Sequence, residues 1–83
     1  MQKIAFDARG LEHPKPLEKA VVLLQKMDEK SYLYMRHRKN PFPLLQLAQE
    51  HGFTSLSYEH APGEWHILIT KADSVDLKEL LDV

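Results

Sequence analysis

The spacing of apolar positions changes several times along this chain, and each change predicts an element. Lys3 to Phe6 alternates, with Ile4 and Phe6 on one side, which predicts a short first strand ended by Asp7-Ala8-Arg9-Gly10. Leu17, Ala20, Val21, Leu24 and Met27 then recur at helical spacing, while Glu18, Lys19, Gln25 and Lys26 fall on the opposite side. This is a helix with one buried stripe. Pro14 and Pro16 lie in its first turn, where a missing N–H costs little because those donors have no intrahelical partner, so the helix starts at about Pro14. After the polar turn Asp28-Glu29-Lys30, Ser31 to Arg38 alternates again, with Leu33, Met35 and His37 on one face and Tyr32, Tyr34 and Arg36 on the other.

Asn40-Pro41-Phe42-Pro43 repeats the proline punctuation, with Asn40 as the expected cap, ahead of Leu44, Leu47, Ala48 and His51 at helical spacing. Gly52 is the natural stop of this second helix. Thr54, Leu56, Tyr58 and His60 alternate with Phe53, Ser55, Ser57 and Glu59, and further on Trp65, Ile67 and Ile69 alternate with His66, Leu68 and Thr70. Ala61-Pro62-Gly63 between these runs predicts a hairpin with a type II turn. The tail from Asp73 to Leu81 has a cap residue and the apolar spacing of a short third helix.

The order β-α-β-α-β-β places the chain in the α+β class, as a two-layer α/β sandwich with a four-stranded mixed sheet and two helices on one face. One domain spans residues 1–83, with a core over about 3–71 and a helical tail over about 73–83. Parallel pairing is expected across each helical crossover, with the last strand running the other way. The C-terminal ends of the first three strands, both helix N-termini and the Pro62-Gly63 turn then share one edge of the sheet. That edge gathers His13, His37, His60 and His66 with Arg9, Lys15, Arg36, Arg38 and Lys39, and with Glu12, Glu59 and Glu64. Open α/β sheets bind ligands at the carboxyl ends of strands, and helix N-termini suit anions. On the sheet face away from the helices, Tyr32, Tyr34, Phe53, His66 and Leu68 are uncovered unless the tail or another chain packs there, which makes a protein partner or a homodimer through that face a reading of its own. Trp65, aligned with Ile67 and Ile69, reads as core.

Composition narrows the function classes. The 83 residues are 43% hydrophobic and 28% charged with a net charge of -1, which fits a small folded domain and gives no general reason to expect nucleic acid or membrane. The tyrosines and the local basic patch suggest an RNA platform only weakly, since no basic or glycine-rich run supports them. No cysteine is present, which excludes disulfides, thiolate nucleophiles and Cys-based zinc sites. Met1-Gln2-Lys3-Ile4 lacks the apolar run of a signal peptide and no stretch is long and apolar enough to span a bilayer, so a cytoplasmic location is expected.

Asp7-Ala8-Arg9-Gly10-Leu11-Glu12-His13-Pro14-Lys15-Pro16 resembles the signature of the TusA (SirA-like) sulfur-carrier proteins, in which an Asp-x-x-Gly-Leu-x segment leads into Cys-Pro-x-Pro at the start of the first helix. The resemblance spans about residues 3 to 71 and implies the same two-layer fold in a bacterial protein. Where that family has its sulfur-accepting cysteine this chain has His13, and an imidazole cannot replace a thiolate nucleophile. His37-Arg38-Lys39-Asn40-Pro41-Phe42-Pro43-Leu44 and Gly63-Glu64-Trp65-His66-Ile67 resemble a cysteine-lacking branch of that fold, the domain of unknown function numbered 2249.

Two candidate sites follow. Arg9, His13, Lys15, His37 and Arg38 form the expected site for a small anion or a protein partner, and the matching function is non-enzymatic binding or regulation. His13, His37, His60 and His66 form the alternative, a histidine-based metal site in a redox or metal accessory protein, although no HxH or HExxH spacing supports it. A third reading is docking within a sulfur relay whose partner supplies the thiol. No cofactor is implied. The structural alternatives are that His13 caps the first helix or packs in its turn, and that His37 hydrogen-bonds the backbone of the Asn40-Pro41 turn.

Overall fold

The computed structural model describes residues 1–83. Its elements are β1 (Gln2–Asp7), α1 (Lys15–Lys26), β2 (Ser31–His37), α2 (Phe42–Glu50), β3 (Thr54–Ala61) and β4 (Glu64–Thr70), followed by a 3₁₀ turn at Leu77–Leu80. The four strands form one mixed sheet in the order β1-β2-β4-β3. β1 pairs parallel to β2, with Ile4 opposite Leu33 and Phe6 opposite Met35. β4 runs antiparallel to both β2 and β3.

The second crossover differs from expectation. β3 runs in the same direction as β2, but β4 lies between them, so parallel pairing is confined to β1 and β2. Side-chain chemistry explains the order. Ser31 to Met35 of β2 and His66 to Thr70 of β4 are buried on both faces, as central strands must be, whereas β3 (Thr-Ser-Leu-Ser-Tyr-Glu-His-Ala) is polar on both and tolerates an edge. The shared edge is unaffected, because β1, β2 and β3 still end on the same side.

Between the sheet and the helices, Leu33, Met35, Ile67 and Ile69 pack against Ala20 and Leu24 of α1 and Leu44 and Ala48 of α2. Trp65 and Phe53 pack part-buried against this core. Phe53 is therefore on the helix side and not on the far face. Leu56 pairs with Leu68, so the even-numbered positions of β3 share the far face and the odd-numbered ones point toward the helices.

The far face is covered by the chain itself. Tyr32, Tyr34, Leu68 and Leu77 form a second buried cluster, joined by Leu56, Val75, Leu80 and Leu81. The tail thus acts as a strap. Asp76 Oδ1 caps its 3₁₀ turn by accepting the Lys78 N–H at 3.1 Å. Near the end of the strap, Asp82 donates its backbone N–H to Tyr34 Oη at 3.0 Å and pairs with Lys3 through its carboxylate.

Neither main helix has a side-chain cap; Pro14 and Pro41 occupy the capping positions, with a further proline inside each first turn. Asn40 instead accepts a hydrogen bond from Ser57 Oγ at 2.5 Å, tying the start of α2 to β3. Gly63 has φ +75°, as the second central residue of a type II turn requires.

Candidate functional site

Where β1 and β2 end and α1 and α2 begin, the chain encloses a cavity of about 440 Å³. Its floor is apolar, with Leu11, Met35 and Leu44, and its rim is polar, with His13, His37, Arg38, Lys39 and Glu12. Met35 and Leu44 are buried members of the core, so the cavity floor is as rigid as the core that forms it.

His37 is the best-positioned group on this rim. It ends β2 on the helix-facing side, and its Nδ1 accepts the backbone N–H of Arg38 at 2.8 Å and that of Lys39 at 3.3 Å. A ring nitrogen that accepts cannot carry the proton, so the neutral ring is protonated on Nε2. Burial, reinforced by Lys39 and Arg38, pushes its pKa down. Protonating Nδ1 would also set a third donor against the two backbone N–H groups.

The other expected anion ligands divide. Arg38 lines the cavity, and its Nε donates to the Arg9 carbonyl, which braces the rim against the turn after β1. Arg9 itself turns away. Its guanidinium grips Asp7 through Nε at 2.9 Å and Nη2 at 2.6 Å, and that grip holds the Asp7 carboxyl well below the usual carboxylate range. Lys15 is exposed on the first turn of α1 and does not line the cavity. His13 lines it without capping α1. Lys39, seen in the sequence only as part of the basic edge, takes the place that Arg9 and Lys15 were expected to fill.

The four histidines do not form one cluster. His13 and His37 face the helix-start cavity, while His60 and His66 line a second cavity on the opposite face of the sheet. Strand alternation is the cause: Trp65 is the residue opposite His37, so its neighbour His66, opposite Arg36, points the other way. His66 is also buried and not solvated, with only 5% of its surface exposed. No three His, Asp or Glu side chains converge in a geometry that could hold a metal ion.

Among known proteins, a family described as an uncharacterized conserved protein (DUF2249) matches residues 5–71. No curated protein and no solved structure matches the chain. No helix is long and apolar enough to cross a membrane. The matched span runs from within β1 to just past β4, so it contains both helices, β2, β3, β4 and every residue that lines the helix-start cavity, and leaves out the start of β1 and the strap. On that match, covering most of its length, this chain belongs to the DUF2249 family.

Proposed function

We propose that the chain is a cytoplasmic, TusA-like binding module that performs no chemistry of its own and holds a small anion in the cavity between its two helix starts. The observation that carries this reading is the state of His37. With Nδ1 already accepting from two backbone N–H groups, the ring offers a neutral N–H donor on a rim that also bears Arg38 and Lys39. An oxyanion needs such donors and cations. A metal ion needs a lone pair, which this ring has already committed, so the same geometry disfavours metal binding. The apolar floor gives room for a carbon skeleton attached to the anionic group, whether free or presented by a partner protein.

The test is a histidine-resolved NMR titration of untagged protein with inorganic phosphate and, separately, with zinc. The reading expects His13 and His37 to shift together and saturate with phosphate, and to ignore zinc. Joint replacement Arg38→Gln and Lys39→Gln should weaken phosphate by about tenfold, the size of a partly solvated charge contribution. Zinc-dependent shifts at His37, or no response to phosphate, would overturn it.

A further inference from the structure

The strap-covered face holds a second polar site that is independent of the helix starts. His66 is 95% buried by its 5% exposure, and its Nδ1 lies 2.6 Å from Tyr34 Oη. Tyr34 Oη in turn accepts the Asp82 backbone N–H at 3.0 Å. Only one assignment of protons uses both contacts fully: the Tyr34 hydroxyl donates to Nδ1, and the imidazole proton sits on Nε2. The reverse assignment would leave the phenolic hydrogen without an acceptor as well as Nε2 without a partner. The His66 Nε2–H is thus a buried donor, and the chain supplies no acceptor for it. Native proteins rarely leave such a group unpaired.

The His66 side chain is part of the lining of a cavity of about 390 Å³, shared with Lys3, Asp7, Arg36, His60 and Asp82. Its carboxylates are already engaged, Asp82 with Lys3 and Asp7 with Arg9. Arg36 is the one lining cation without an ion pair, and it lies directly opposite His66 across the β2–β4 ladder, so the two side chains leave the sheet on the same face. A β-bulge between Glu59 and Ala61 makes His60 the unpaired residue of β3, and its ring stands edge-on to His66 with centroids 5.8 Å apart. Bulges are a common means of re-aiming a side chain next to a site.

We infer that this cavity binds a small oxyanion, a carboxylate or a phosphate, through the His66 Nε2–H and the Arg36 guanidinium. A neutral N–H donor beside an unpaired planar cation is the pairing that recognises such a group. The Tyr34 hydroxyl acts as the positioning residue, since it fixes which ring nitrogen carries the proton. Burial, aided by Arg36 and His60, pushes the His66 pKa down, so the ring stays neutral and Nε2 stays a donor at neutral pH. The site takes an acceptor and not a metal, because the Nε2 lone pair is occupied by the proton.

The experiment is a long-range proton–nitrogen correlation of histidine-labelled, untagged protein, first alone and then with sodium acetate or inorganic phosphate. Alone, His66 should show the Nε2-protonated tautomer. Its signals should then shift and saturate with acetate or phosphate, and Arg36→Gln should weaken that response by about tenfold while leaving those of His13 and His37 in place. Arg36→Lys, which keeps the charge and loses the fork, should fall between. A Nδ1-protonated ring would overturn the inference on the wild-type protein alone, whether or not the variants fold. So would His66 signals indifferent to both anions, or a response of equal strength in Arg36→Gln, which would mark an adventitious ion only.

Discussion

Replacing Tyr34 by Phe removes one oxygen and leaves the packing in place. The ring, 3% exposed, would keep its edge contact with His66 at 5.5 Å between centroids and its place beneath the Lys3 ammonium at 4.4 Å. Two hydrogen bonds are lost, and they are unequal. The Asp82 N–H is only part-buried and can turn to water, so its loss costs little. His66 Nδ1 is sealed in and has no second donor within reach, so it becomes a buried acceptor without a partner. That penalty is about 1–3 kcal/mol. A chain of this length has roughly 4–12 kcal/mol of total stability, so the loss is a large share of it. At the midpoint, a loss of about 2 kcal/mol corresponds to a drop of roughly 8–16 °C. Urea unfolding followed by the fluorescence of Trp65, the one tryptophan, measures it. Leu at position 66 supplies the control. His66→Leu removes the acceptor, so the double variant Tyr34→Phe with His66→Leu should cost less than the sum of the singles by about 1 kcal/mol. Strict additivity, or a Tyr34→Phe variant within about 0.3 kcal/mol of the parent, would mean that the phenol–imidazole bond contributes nothing and that the tautomer assignment lacks its foundation.

The same histidines set a pH dependence. His37 and His66 have folded pKa values pushed below that of the unfolded chain, about 6.5, so below that pH the unfolded state binds more protons than the folded one. Stability is full above about pH 6.5 and declines on acidification, by at most about 1.4 kcal/mol per pH unit for each histidine. Urea midpoints that stay level from pH 7 to pH 5 would contradict this. The strap predicts a different effect. Leu77, 6% exposed, is its buried anchor against Tyr32 and Leu68, and Leu77→Ala should cost about 2 kcal/mol, limited by the free energy of docking the strap itself. Faster hydrogen exchange confined to the strap, with β2 and β4 still protected, is the expected signature; uniform acceleration across the sheet would show that the strap is part of the folding unit.

Apolar spacing and prolines alone determined the element order, the helix starts and the sheet edge where β1, β2 and β3 end, because periods of 2 and 3.6 and a missing N–H are local properties. The helix-start cavity was legible for the same reason: His13, His37 and Arg38 sit at fixed offsets from strand ends and helix starts, and those offsets place them on its rim. What lay beyond the sequence is what depends on partners distant along the chain. β4 entered between β2 and β3 because two doubly buried strands must lie side by side in the centre, and that choice sets the register that puts Arg36 directly opposite His66. Arg9 was lost to the expected site because Asp7 lies close enough to chelate it. The strap's cover over Tyr32 and Tyr34, and the proton positions on His37 and His66, were decided only by tertiary contacts. A tautomer belongs to a hydrogen-bond network, and a network exists only once residues as far apart as Tyr34, His66 and Asp82 have met.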